Sequence, residues 1–205
     1  MRLLKSGLSL ALALSAWTSL SAAQYNIDPA HSEIIFKVKH LGISTVTGHF
    51  LKFAGTFDVD AKNVKATKGN ATIEASSINT GMDKRDEHLK SPDFFDVAKF
   101  PDLKYVSKEV RKVSEKDSTC ELVGDLTMHG VTKEIILTVK GGGIAIDPWG
   151  NERAAFSATG HVNRKDFGLV WSKTMDNGSL VVSENVDIVL SFEGMRTLPP
   201  APAKK

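Results

Sequence analysis

The chain of 205 residues has a single cysteine, Cys120, so it can form no internal disulfide and offers no cysteine cluster for a metal. It also lacks an excess of either charge. Lys and Arg number 26 against 24 Asp and Glu, and the first 23 residues hold two of the bases, Arg2 and Lys5, and no acid. Without that segment the two signs balance at 24 each. This balance argues against a nucleic-acid binder, whose affinity draws on excess cationic charge, and against a polybasic membrane-surface binder. There is no H-x-x-x-H pair, no G-x-S-x-G elbow and no dinucleotide or phosphate-cradling loop; Gly141-Gly142-Gly143 lacks the following Lys and helix. The chain is short of the patterns that carry catalysis.

What is present begins with an export signal. Met1-Arg2-Leu3-Leu4-Lys5 is a basic start, residues 7–17 are an apolar core of signal-peptide length, and Ser21-Ala22-Ala23 supplies small residues at the cleavage positions. Cleavage before Gln24 is expected. An uncleaved anchor is the rival reading, but Ser9, Ser15, Thr18, Ser19 and Ser21 dilute the apolar run. No Cys stands near the cut for lipid attachment. The rest, 41% hydrophobic and 24% charged over the whole chain, suits one globular domain with a real core.

Side chains alternate with a period of two along most of the body. Ile34, Phe36 and Val38 alternate with Lys37 and Lys39; Cys120, Leu122, Gly124, Leu126 and Met128 alternate; so do Val186, Ile188, Leu190 and Phe192. Val46, Gly48 and Phe50 are followed by Phe53, Gly55 and Phe57 in the other parity, which predicts a β-bulge at Leu51-Lys52. His129-Gly130 reads as a tight hairpin turn, and Gly141-Gly142-Gly143 and Asp147-Pro148-Trp149-Gly150 as loop and turn. About eight strands, each with one apolar face, describe an antiparallel sandwich or barrel.

Residues 80–101 break this rhythm. Thr80-Gly81-Met82-Asp83 matches a capping box, after which Met82, Arg85, Asp86 and Leu89 share a helical face. Ser91-Pro92-Asp93 predicts a second helix start, followed by Phe94, Phe95, Val97 and Phe100. The segment should pack on the barrel as a lid. The tail from 195, with Pro199-Pro200-Ala201-Pro202, is expected to be disordered.

The chemistry-bearing residues leave two openings. His40 and His49 could meet across paired strands, although ordinary strand-end roles explain them. Asp86 beside His88 could do acid–base work in a cleft, against a local role in anchoring the helix. Asn163-Arg164-Lys165-Asp166-Phe167-Gly168 reads as a structural turn fixed by an Arg–Asp pair, with Gly168 at an unusual backbone angle. A barrel of eight strands either fills with its own side chains or holds one small ligand. Gly48, Gly55, Ala71, Ala75, Gly124, Ala158 and Gly160 are small inward residues that would leave room, unless the glycines serve only for bending. The phenylalanines of the lid favour a long apolar ligand.

Several motifs together resemble a known family. They are Tyr25-Asn26-Ile27-Asp28-Pro29-Ala30-His31-Ser32, then Ile34-x-Phe36-x-Val38-x-His40-Leu41-Gly42, then Arg85-Asp86-x-His88-Leu89-Lys90-Ser91-x-Asp93-Phe94-Phe95. Gly124-Asp125-Leu126-Thr127-x-His129-Gly130 and Asn163-Arg164-x-Asp166-Phe167-Gly168 continue the likeness. This looks like the YceI family of bacterial periplasmic, lipocalin-like proteins, from about Tyr25 to Glu193. Val182-Ser183-Glu184 departs from the family's usual Val-Gly-Asp/Glu in a turn. The resemblance implies a lipocalin-like antiparallel barrel around a polyisoprenoid chain, such as an isoprenoid quinone, and binding rather than catalysis. It also implies that Arg85, Asp86 and His88 are helix anchors or head-group contacts.

The reading is therefore an all-β, lipocalin-like antiparallel barrel of about eight strands over 24–194, with one short helical insertion at about 80–98. The site expected is an isoprenoid-lipid cavity lined by Phe36, Val38, Phe50, Phe53, Phe94, Phe95, Phe100 and Phe156, with Met82, Arg85, His88 and Leu89 from the lid. No metal and no cofactor besides the lipid are expected. The location is the periplasm, and the reading is compatible with a homodimer and with transient contact with the inner membrane or a membrane protein. Two rivals remain: a stress-related module with a packed barrel, and an enzyme using Asp86 and His88.

Overall fold

The computed structural model describes residues 22–60, 63–175, 178 and 180–197. Most of the expected leader, and the tail from 198, lie outside these residues. The strands in chain order are β1 (Ala23–Ile27), β2 (Glu33–His40), β3 (Ser44–Phe50), β4 (Phe53–Val59), β5 (Lys68–Glu74) and β6 (Ile78–Asn79). Helix α1 (Asp83–Lys90) precedes β7 (Asp102–Ser114), β8 (Thr119–Met128), β9 (Val131–Ile146), β10 (Glu152–Asn163) and β11 (Val182–Arg196). Among the described residues, eight antiparallel strands close a barrel in the order β1, β4, β5, β7, β8, β9, β10, β11. β11 makes the closure by changing partners. Its end pairs with β1, Tyr25 against Arg196 and Ile27 against Gly194. Its earlier part pairs with β2, Ile188 against Phe36 and Leu190 against Ile34. Beyond β2, β3 and the short β6 extend the sheet as a flap.

The alternation seen in the sequence is the reason the wall has one apolar face. Val186, Ile188, Leu190 and Phe192 of β11 face the interior beside Phe156, Ala158 and Val162 of β10. His129 and Gly130 form the two-residue turn between β8 and β9, with Met128 paired to Val131. Both have positive φ, 51° and 75°, as the hairpin turn matching strand twist requires.

Five local expectations are corrected. Leu51-Lys52 is not a bulge: β3 pairs with β2 and β6, while β4 pairs with β1 and β5, so the parity changes because the chain leaves one strand for another. Gly141-Gly142-Gly143 is not a loop but part of β9, where the register against β10 slips between Ala155 and Phe156. A side chain at Gly142 would crowd the Ala155 carbonyl at 3.1 Å, so the bulge needs small residues there. The helical insertion is shorter than 80–98, since after α1 residues 91–99 form successive turns. Ser91 Oγ accepts from the Asp93 N–H at 3.3 Å as a cap would, but the second helix goes no further than turns because Asp96 reverses the chain with φ 45°. Finally, His40 sits opposite Ser44 and His49 opposite Ile35, so the two histidines do not meet.

Candidate functional site: an apolar cavity under a lid

The barrel interior holds a cavity of about 190 Å³. Its wall is almost wholly hydrocarbon, from Ile34, Phe36 and Val38 on β2 through Leu122 and Leu126 on β8 to the inward row of β11. Thr56, Asn70, Tyr105 and Arg164 are the polar exceptions among the described lining residues. The Asn70 side chain donates to Thr56 Oγ1 at 2.8 Å. Burial, with help from Asp125, pushes the Tyr105 hydroxyl well above the ordinary range, so it stays neutral.

Aromatic groups pack toward both ends. At the C-terminal end of β11, Tyr25 stacks on Phe57 at 5.4 Å. Phe57 meets Phe156 at 5.0 Å, and Phe156 meets Phe192 at 5.4 Å. At the opposite end, Phe50 packs against Phe36 (5.8 Å) and against Phe95 of the lid (5.7 Å). Phe94 lies on Trp171 at 5.3 Å, bringing the loop after Gly168 over the same end.

The lid is tied down through Thr80. The buried Asp86 carboxylate accepts from the Thr80 backbone N–H (2.9 Å) and hydroxyl (2.5 Å). Arg85 Nε donates to the Thr80 hydroxyl oxygen and Nη2 to its carbonyl, at 2.7 and 2.8 Å. This replaces the expected capping box. Met82, not Thr80, is the N-cap, so Asp83 is the first helical residue rather than the third, and Asp86 answers Thr80. His88 bonds instead to Asp93 at 2.8 Å, with both side chains about half exposed. Asp86 and His88 thus serve different partners, which removes the geometric basis of an acid–base pair.

Seven of the twelve expected site residues stand in the cavity wall: Phe36, Val38, Phe50, Leu89, Phe94, Phe95 and Phe156. Five do not. Phe53 shares the inward face of β4 with Phe57 but does not border the cavity, its ring lying against Phe192 at 5.9 Å. Met82 is 53% exposed at the start of α1. Arg85 is engaged with Thr80 and His88 with Asp93. Phe100 packs on His129 at 4.6 Å and covers Gly130 of the β8–β9 turn. Of the small residues expected to make room, Ala71 and Ala158 border the cavity. Gly48, Gly124 and Gly160 do not, because the Phe36 ring, the Tyr105 ring and the Leu137 side chain occupy the space their side chains would fill.

Sequence reasoning missed Arg164, Leu169 and the inward side chains of Phe57 and Phe192 as wall residues. It also gave Arg164 the wrong partner. The turn and the left-handed Gly168 (φ 81°) are as expected, but Arg164 bonds to the carbonyls of Ser183 and Leu169, not to Asp166.

A second cluster lies outside the cavity. Asp28, His31 and Glu193 bring three ligand-type atoms within 4.8 Å of one another. The Arg153 guanidinium stands where a cation would, with Nη1 donating to Asp28 at 2.9 Å and to Glu193 at 2.7 Å. Its Nε also donates to Asp147 at 3.0 Å. Hydrogen bonds from His31 and then Arg153 hold the Asp28 carboxyl down at about 2. The cluster ties the strand ends together.

An antiparallel barrel of eight strands with an apolar cavity under a helical lid defines a lipocalin-like fold. The chain matches the YceI-like domain over residues 25–194. It belongs to the YceI family. Protein YceI of Salmonella arizonae is 40% identical over 192 residues, covering 93% of this chain and 96% of that one. The solved YceI protein of Campylobacter jejuni superposes with a TM-score of 0.66 at 28% identity, over 93% of this chain and all of that one. A domain from Saccharophagus degradans, described as polyisoprenoid-binding and implicated in plant cell wall breakdown, shares the fold. Its TM-score is 0.61 at 18% identity, over 84% of this chain and 98% of that one.

Proposed function

We propose that the protein is a periplasmic binding and carrier protein for a long-chain isoprenoid lipid, such as an isoprenoid quinone or polyprenyl amphiphile. The observation that carries this reading is the apolar cavity, walled by hydrocarbon with packed rings toward each end. A solvent-exposed tail costs roughly 25 cal/mol per Å², so burying about 300 Å² of it offers roughly 7 kcal/mol before the losses of association. Branched prenyl units suit a wall of Ile, Leu, Val and Phe. The fold shared with a polyisoprenoid-binding domain supports the same ligand class. The periplasmic part rests on the leader in the sequence and on the family resemblance. A cavity of this size weighs against the packed-module reading, and transient contact with a membrane would supply and accept the lipid.

The test is native mass spectrometry of the protein purified from bacteria, followed by titration with a prenylquinone. The expected result is a co-purified or readily acquired isoprenoid at one per chain. A bare mass with no uptake would overturn the reading.

A further inference from the structure

Arg164 is the one charged side chain in the cavity wall among the described residues. It is 4% exposed and opens the 3₁₀ turn after β10, at the lid end of the barrel. Its Nε donates to the Ser183 carbonyl at 3.0 Å, Nη1 to Leu169 at 2.5 Å and Nη2 to Val182 at 3.5 Å. These acceptors are neutral. A guanidinium carries five N–H groups, so one on each terminal nitrogen has no acceptor among the described residues. Glu184 lends attraction through space, but its carboxylate is bonded to Lys165 at 2.5 Å.

A buried cation with spare donors is costly unless an oxygen acceptor meets it. A tail alone would leave that cost in place. The other polar wall groups do not share the need, since Asn70 is bonded to Thr56 and the Tyr105 hydroxyl points to the Leu122 carbonyl at 3.5 Å.

Building on the isoprenoid reading, we infer that Arg164 fixes the ligand's head. The lipid seats tail first, its end toward Phe57, and an oxygen-bearing head, a quinone carbonyl or a phosphate, accepts the two free N–H groups under the lid. Recognition would then be two-part: the wall takes any branched tail of fitting length, and Arg164 selects tails that carry an acceptor. The three carbonyl bonds hold the guanidinium in place before the ligand arrives, so little ordering is left for binding.

The test compares three probes with the same branched C20 skeleton: menaquinone-4, geranylgeranyl diphosphate and the saturated hydrocarbon phytane, delivered from cyclodextrin. At least one headed probe is expected to bind about tenfold more tightly than phytane, and whichever does so separates carbonyl from phosphate recognition. Arg164→Met should bring the ratio close to one, and Arg164→Lys should restore part of it. Should the Met variant fail to fold, the infrared C=O or P–O stretch of the tighter probe in the unaltered protein decides. A shift from its value in apolar solvent supports the contact, and an unshifted band overturns it. Equal affinity for all three probes overturns the role of Arg164 while isoprenoid binding stands. Binding of none overturns both.

Discussion

At the far end of the cavity Tyr25, Phe57, Phe156 and Phe192 sit on barrel strands, and their surroundings are joined across long stretches of chain. Tyr25 donates to Glu152, 127 residues away, and Arg153 to Asp28, 125 residues away. At the lid end Phe94 and Phe95 ride on a segment held chiefly by its own neighbours, Thr80 to Asp86 and His88 to Asp93. Both ends are apolar and aromatic, yet one is built into the barrel closure and the other is laid over it. The far end can open only by breaking strand pairing. The lid end can open locally, at a free energy below that of global unfolding. The proposed lipid entry needs one end of each kind.

The largest expected effect tests that contrast. Phe57→Ala removes a buried ring from the far end and should cost about 3–5 kcal/mol in denaturant unfolding. Phe95→Ala, at a half-buried lid ring, should cost under about 2 kcal/mol and instead speed ligand release. Equal losses would dissolve the contrast. Asp86→Ala leaves the Thr80 N–H without its carboxylate and should cost about 1–3 kcal/mol. Its hydrogen exchange should rise over residues 78–90 while β10 and β11 keep their protection.

The far end should also respond to pH. Asp28 is held at about 2 against its ordinary 3.8, so its stabilisation is present above 3.8 and is lost as pH falls through about 2. Burial and the Glu152 contact raise the Tyr25 hydroxyl from 10.0 to about 12, so its share is present below 10.0 and is lost as pH rises through about 12. Thermal melts across both windows should show these losses, and His31→Gln should shrink the acid step, since its hydrogen bond to Asp28 is the largest contribution. The smallest expected effect is at the surface. His88→Ala breaks an exposed pair with Asp93 and should change stability by about 1 kcal/mol or less, with ligand affinity within about twofold.

The strands and the lid were legible in the sequence because alternation and local turn chemistry are written in neighbouring residues. The row from Val186 to Phe192 and the His129-Gly130 turn are examples. Barrel closure was not legible, because Tyr25 against Arg196 is a pairing of chain ends that no local pattern specifies. The three glycines at 141–143 misled because a glycine run marks loops more often than a bulge inside a strand. In the site, the alternation finds the large aromatics on inward strand faces; Phe53 shares that face yet stops short of the cavity against Phe192, and Phe100 packs on His129. Arg164 was read as a turn residue because nothing nearby in sequence shows that residues 182–183 fold back to meet it.

The most direct measurement is an experimental structure of the protein saturated with a prenylquinone. The expected result is a continuous tail running inside the barrel from the lid, past Phe95, toward Phe57. A quinone bound on the outer surface, with the interior unchanged, would contradict the account.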